Sequence, residues 1–377
     1  MPIVGSVSGQ RGRGPLAGLV VIEMAAIGPV PHCGLVLSEL GADVVRLDRL
    51  EPSGLGIEVA GQFDALARGK RSLALDLKSP NGAQAALELV GRADALIEGF
   101  RPGVMERLGL GPDRCLAANP RLVYGRISGW GETGPLAGEA GHDLNFLGLT
   151  GALAAMGEPG QPPPVPLNLV ADFGGGAMQL AVGVLAALLE ARTTGQGQVV
   201  ATSILEGAHA LMPFLHGLRA AGAWEDRRGA NVLDGGAPFY RCYEASDGRY
   251  VAVAAIERKF YRALLKGLEL LGQVNPAVQM DRTAWPALAG LFASVFRTRP
   301  RDDWARRFQG TDACVTPVLT FNEALDHEQI SGCVASTANA ALRVPRAVPR
   351  FSAHRQSMPS ALCPGLEQSG SRSPGAP

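Results

Sequence analysis

Residues 19–48 read LVVIEMAAIGPVPHCGLVLSELGADVVRLD and contain one strand–helix–strand unit. The apolar run at 19–24, rich in β-branched residues, is typical of a buried strand, and a Gly-Pro turn at 28–31 separates it from a helix over 33–40. Gly41 follows as the residue that ends the helix, and the run at 44–48 predicts the next strand. This stretch therefore indicates an α/β fold.

The alternation of strands and helices continues along the chain. Further strands are predicted at 73–77, 95–98, 122–127 and 195–201, with a helix over 79–90 and a long helix after Asp172. Such alternation favours a Rossmann-like, doubly wound parallel sheet. After Trp224, a β-hairpin at 239–244 and 250–255 and three further helices predict a smaller α+β domain. We therefore expect a flexible leader at 1–14, a large domain at 15–224, a small domain at 225–325, a return to the large domain at 326–351 and a disordered tail at 352–377.

Composition limits the classes of function. The chain has 377 residues, 46% of them hydrophobic, which indicates a globular protein with a substantial core. Lys and Arg total 35, as do Asp and Glu, so we expect neither nucleic acid nor a membrane surface as partner. The six cysteines are scattered, and there is no HExxH pattern or uninterrupted apolar run long enough to span a membrane. These features predict a soluble, cytoplasmic protein with reduced thiols and no metal site.

Two motifs place an acid–base residue beside glycine: Gly141-His142-Asp143 and Asp172-Phe173-Gly174-Gly175-Gly176. Asp172 precedes a helical stretch, so we expect it to be the N-cap of that helix. Glycines in a first helical turn cost roughly 1 kcal/mol each relative to alanine, which indicates a ligand close to the backbone. Taken singly, each motif is more often structural, a cap or a loop residue. Together they predict an imidazole and a carboxyl group that face one substrate.

Several ordered motifs resemble the family III coenzyme A transferases, also called the CaiB/BaiF family. They are Pro15–Glu23, Gly41–Arg49, Leu75–Lys78 and Glu98–Val104. The two glycine motifs, with Gly229–Tyr240 and Asp312–Leu319, narrow the resemblance to the α-methylacyl-CoA racemases of that family. The resemblance extends from about Pro15 to Phe351 and is weak from about Ser331.

The resemblance implies an enzyme of fatty acid metabolism that inverts the α-carbon of a 2-methylacyl-CoA thioester, with no metal or redox cofactor. It also implies an interlocked homodimer with the site between the large and the small domain. Inversion needs one group on each face of the carbon, in opposite protonation states. An enolate forms between the two proton transfers, and we expect the N–H groups of Gly174–Gly176 to stabilise it.

The resemblance also assigns residues. His142 and Asp172 would exchange the proton, and Glu257 would orient His142, although an acidic residue at a helix start is equally well explained by the helix dipole. The positions that match coenzyme contacts would bind phosphates, adenine and the pantetheine arm: Arg49, Leu75, Asp76, Leu77, Lys78, Arg101, Gly141, Asp143 and Asn145.

Three alternatives remain. A CoA transferase of the same family would use Asp172 as a nucleophile and form an acyl anhydride, but it needs no opposed base such as His142. A dinucleotide-dependent oxidoreductase is consistent with Asp48 at a strand end, but the first turn, 25–31, lacks the GxGxxG pattern. A non-catalytic acyl-CoA-binding protein is the third.

Overall fold

The computed structural model describes residues 14–354 except 52, 53, 55, 58, 338 and 340. The expected leader, except Gly14, and the expected tail beyond residue 354 lie outside this part of the chain.

A six-stranded parallel sheet has the order β3-β2-β1-β4-β5-β6. Its strands are β1 (Val20–Met24), β2 (Asp43–Asp48), β3 (Arg71–Ala74), β4 (Ala95–Glu98), β5 (Val123–Ser128) and β6 (Gln198–Ser203). β1 pairs with both β2 and β4, so Val21 lies opposite Val44 on one side and Ala95 on the other. The predicted Rossmann-like α/β fold is confirmed. The third strand ends at Ala74, so Leu75, Asp76 and Leu77 follow the strand and are not part of it.

Helices connect these strands. The α-helices within the described residues are α1 (Pro29–Glu39), α2 (Pro80–Val90), α3 (Val104–Arg107), α4 (Pro112–Ala118), α5 (Asp143–Leu149), α6 (Ala152–Ala155), α7 (Met178–Thr194), α8 (Ile204–His209), α9 (Pro213–Ala220), α10 (Arg258–Gly267), α11 (Trp285–Phe296), α12 (Arg301–Phe308), α13 (Phe321–Asp326) and α14 (Glu328–Ser331). Short 3₁₀ turns lie at Gly61–Phe63, Ala65–Ala67 and Pro276–Val278. A π-helix, Leu169–Ala177, leads directly into α7.

The sheet is covered on both faces. Alternate strand residues such as Ile22, Leu96 and Tyr124 share one apolar cluster with Ala86 of α2 and Cys115 of α4. On the other face, a Cβ atom on Gly125 would lie 2.8 Å from Val184 Cγ2 of α7. Because both faces are buried, β1 and β4 are apolar almost throughout, as parallel strands usually are.

The chain divides into two compact units. One contains the described residues of 1–150, 166–211 and 331–377, and the other contains 151–165 and 212–330. The predicted small domain, 225–325, lies within the second unit, whose boundaries differ from those expected. That unit holds a three-stranded antiparallel sheet of β7 (Tyr240–Glu244), β8 (Tyr250–Ala254) and β9 (Val315–Pro317). The first unit has an additional antiparallel pair, β10 (Val334–Ser336) and β11 (Arg343–Pro345).

The continuous helical segment Leu169–Thr194 is the most apolar long element among the described residues. This segment is long and apolar enough to cross a membrane, but core helices can have the same length and composition. It is partly buried within the described residues.

Candidate active site

A cavity of about 350 Å³ lies in the first unit at the carboxyl ends of the parallel strands. Its walls come from the segments that follow four strands: 27–29 after β1, 99–102 after β4, 127–130 at the end of β5, and Ile204 after β6. The sheet order reverses between β1 and β4, and open parallel sheets bind ligands at such a switch point. His142 and Asp172 both line this cavity, together with Arg101 and Gly141.

Asp172 lies inside the π-helix, so the prediction that it is an N-cap is wrong. Asn168 occupies the cap position, and the Asp172 N–H donates to Asp143 Oδ1 at 2.7 Å. Aspartate is favoured at helix caps because its side chain can accept a hydrogen bond from an N–H group two or three residues further on. Here it is the carboxylate of Asp143, 29 residues before Asp172 in the sequence, that accepts the backbone hydrogen bond. π-helical turns are rare and often occur at functional sites.

The Asp172 carboxyl group is held in a confined place. Gly28 has a φ of 73°, and a Cβ atom there would lie 3.1 Å from Asp172 Oδ2, so both conformation and space favour glycine. Burial, and secondarily the Asp143 charge, raise the pKa of Asp172 to about 6. A carboxyl group with this pKa can hold or release a proton near neutral pH.

His142 is the N-cap residue of α5, and its N–H donates to Asn145 Oδ1 at 3.1 Å. The preceding Gly141 is required by packing, because a Cβ atom there would lie 2.8 Å from both Phe146 Cε1 and Trp130 Cζ2. These two aromatic rings meet edge to face at 4.6 Å. The backbone that presents His142 to the cavity is thus fixed by a helix cap and an aromatic pair.

The three glycines after Asp172 have a different role from the one expected. They lie within the π-helix and not at a free helix start, so the expectation that their N–H groups stabilise the enolate is wrong. A Cβ atom on Gly175 would lie 2.5 Å from the Ala208 nitrogen, and one on Gly207 would lie 2.5 Å from the Gly175 oxygen. Close contact between the π-helix and α8 therefore requires glycine at these positions.

The predicted coenzyme residues fall into three groups. Arg101 and Gly141 line the cavity. The exposed Arg49 follows β2, and Leu75, Asp76, Leu77 and Lys78 follow β3, so they lie at the same edge of the sheet. Asp143 and Asn145 accept the backbone hydrogen bonds described above, so both have structural partners.

Glu257 lies in the second unit, where it is exposed and precedes α10. Its predicted role beside His142 therefore remains a prediction. Sequence reasoning did not single out Gly28 and Trp130 as site residues. Each lies three or four residues after a predicted strand in a glycine-containing turn, which was the available signal.

The sheet order and the cavity define an α/β protein with an imidazole and a carboxyl group at the switch point of its parallel sheet. The family model for CoA-transferase family III matches residues 16–369, so the chain belongs to that family. It is similar to an α-methylacyl-CoA racemase of Mus musculus, with 48% identity over 313 residues that cover 83% of this chain and 80% of the relative. The corresponding Homo sapiens racemase is 46% identical over the same shares of both chains. A CaiB/BaiF family protein from Brucella suis has a similar structure, with a TM-score of 0.77, 27% identity, and coverage of 93% of this chain and 97% of that one.

Proposed function

We propose that this chain is an α-methylacyl-CoA racemase, an isomerase that inverts the α-carbon of 2-methylacyl-CoA thioesters. The observation that carries the proposal is that His142 and Asp172 line one cavity at the switch point of the sheet. The identity of 46–48% to two racemases supports it.

In the proposed mechanism, one group removes the α-proton and the other supplies a proton to the opposite face. His142 accepts the proton from one enantiomer while Asp172 donates, and the roles reverse for the other enantiomer. The raised pKa of Asp172, about 6, supports this exchange because both of its protonation states are populated near neutral pH. Only proton transfers occur, so we propose that no metal or redox cofactor takes part.

Coenzyme A would be bound by cations at the edge of the sheet. Arg101 lines the cavity, and Arg49 and Lys78 follow neighbouring strands, which supports a role for these cations in binding phosphate groups. Leu75, Asp76 and Leu77 would surround the adenine, and Gly141, Asn145 and the backbone of Asp143 would lie along the pantetheine arm. We also propose an interlocked homodimer in the cytoplasm, in which Glu257 orients His142, with neither a membrane nor nucleic acid as partner.

The second candidate is acyl transfer, because the family includes CoA transferases. Asp172 would then attack the thioester carbonyl as a carboxylate, and His142 would have no assigned role. The pKa of Asp172, about 6, is compatible with either role, whereas the imidazole of His142 in the same cavity has a use only in proton exchange, which favours the racemase.

The test is to incubate each enantiomer of a 2-methylacyl-CoA with the protein in deuterated water. A racemase incorporates deuterium at C2 and converts either enantiomer into the mixture, whereas His142→Ala and Asp172→Ala lose the interconversion. Acyl transfer to an added free acid without inversion would instead establish a transferase. Tight binding with neither reaction would leave an acyl-CoA-binding protein.

A further inference from the structure

Asp143 has a buried carboxylate with an unusual set of partners. Asp143 is the first residue of α5 and is only 6% exposed. Oδ1 accepts hydrogen bonds from the N–H groups of Ala171 at 3.1 Å and Asp172 at 2.7 Å. Oδ2 is buried and has no hydrogen-bond partner among the described residues. A buried charged oxygen without a partner is costly, so its retention calls for an explanation.

These contacts connect the two acid–base residues through the backbone. Asp143 directly follows His142, and it holds the amide of Asp172 itself. One helix start therefore presents the imidazole and also fixes the main chain from which the Asp172 side chain extends. A displacement of about 1 Å in such a pair can cost roughly 100-fold in rate.

The negative charge of the Asp143 carboxylate also raises the pKa of Asp172. Several other titratable groups lie on the elements packed against the π-helix: His142 at α5, His32, Cys33 and Glu39 on α1, Glu206 and His209 on α8, and Glu190 and Arg192 on α7. Of these, His32 stacks on Phe173 at 4.5 Å. Burial and the charge of Asp143 are nevertheless the two causes that raise the pKa of Asp172.

We propose that Asp143 is the positioning residue of the acid–base pair, with a carboxylate that holds the Asp172 backbone and whose negative charge acts on the Asp172 side chain. This role differs from the coenzyme contact expected for Asp143. The proposal relies on the proposed racemase function for its kinetic test but not for its titration test.

The titration test measures the ionisation of Asp172 in the full chain without substrate. Carbon-13 NMR of labelled aspartate carboxyls, with Asp172→Asn to assign the signal, gives the midpoint. Asp143→Asn and the smaller Asp143→Ser both remove the charge and keep a hydrogen-bond acceptor. In either variant that folds, the midpoint should move to lower pH and stay above that of an exposed aspartate, because burial remains.

A matched control neutralises another carboxylate at the same cavity. Glu139 also lines it but is not a cause of the shift at Asp172, so Glu139→Gln should leave the midpoint in place. An unchanged midpoint in the folded Asp143 variants would overturn the proposal, as would an equal shift in Glu139→Gln.

The kinetic test separates positioning from coenzyme binding. Asp143→Ala removes both the acceptor and the charge, and we expect kcat to fall about 100-fold with little change in KM. Asp143→Asn should retain most of kcat, and the acid limb of its pH profile should lie at lower pH. A raised KM with kcat retained in Asp143→Ala would assign the side chain to coenzyme binding and overturn the proposal. If the unaltered protein does not exchange the α-proton of the substrate, the racemase proposal fails. The titration of Asp172 then still decides whether Asp143 is its positioning residue.

Discussion

At the scale of single residues, it could be predicted that His142 and Asp172 lie at one site, but the surroundings of the two residues could not be predicted. His142 and Asp172 stand beside glycines in the sequence, and they line one cavity in the structure. The cap prediction for Asp172 failed because its amide is bonded by Asp143, 29 residues away. A local sequence pattern shows which hydrogen bonds a residue can form with its neighbours in the chain. It does not show a hydrogen bond to another helix, which depends on the tertiary structure.

The raised pKa of Asp172 predicts the pH dependence of turnover. Racemisation needs one protonated and one unprotonated group, so activity is lost when both become protonated. Because the pKa of Asp172 is about 6, kcat/KM should decline as the pH falls through about 6. A profile of deuterium incorporation against pH measures this. An acid limb near pH 4, the ordinary value for aspartate, would contradict it.

At the scale of elements, most strands and helices followed from periodicity, and the two differences have identifiable physical causes. The helical stretch after β6 is divided into α8 and α9, because Pro213 begins the second helix. The π-helix could not be predicted because Gly175 is explained by contact with α8, a partner that no local pattern identifies.

Packing between the π-helix and α8 predicts different effects for two adjacent glycines. Gly175→Ala places a Cβ atom 2.5 Å from the Ala208 backbone, and we expect it to lower the free energy of unfolding by about 1–3 kcal/mol. Gly174→Ala is the matched control, since its Cβ atom would lie 3.0 Å from the Leu169 carbonyl oxygen of the same helix and 3.9 Å from a Leu211 methyl group, both farther than the 2.5 Å contact at Gly175. Urea denaturation measures both variants. Equal losses would refute the assigned contact.

A buried ion pair joins β1 to the segment before β3. Lys70 Nζ donates to Glu23 Oε2 at 2.6 Å and to the Pro31 carbonyl oxygen of α1 at 2.7 Å, and both charged side chains are fully buried. Lys70→Met would leave the Glu23 carboxyl without its cation, at a cost of about 3–5 kcal/mol in the free energy of unfolding.

The double variant Glu23→Gln with Lys70→Met removes both charges and should recover much of this loss. Thermal unfolding of the two single variants and the double variant completes the cycle. If the double variant is as unstable as the sum of the single variants, the pair is not coupled.

At the scale of the whole molecule, the alternation of strands and helices predicted the parallel sheet, and the strand order explains where the cavity lies. The chain continues from β1 towards one edge of the sheet and from β4 towards the other, which leaves a crevice at the carboxyl ends of these two strands. The segments that follow the two strands form walls of this crevice. Residues distant in sequence, such as Gly28, Arg101 and Asp172, meet there only because the sheet has this order. Strand order depends on tertiary packing and is therefore less accessible to local patterns than the strands themselves.

The exposed apolar face of α7 predicts self-association. Met178, Val182 and Leu189 are 41%, 57% and 69% exposed, respectively, although burial of each such side chain contributes about 1.5–3 kcal/mol. We expect analytical ultracentrifugation to give twice the mass of the 39.3 kDa chain. Val182→Asp with Leu189→Asp should shift the protein towards the monomer, because the interface would then bury unpaired charges.

Asn81→Asp is the control for added charge, since Asn81 is exposed on α2, at the other face of the sheet. It should leave the mass unchanged. If Glu257 reaches His142 only from a neighbouring subunit, the monomeric variant should also lose racemisation while Asn81→Asp retains it. A monomer that interconverts both enantiomers at the full rate would show that one chain supplies the complete site, and the proposed interlocked dimer would not be needed for catalysis.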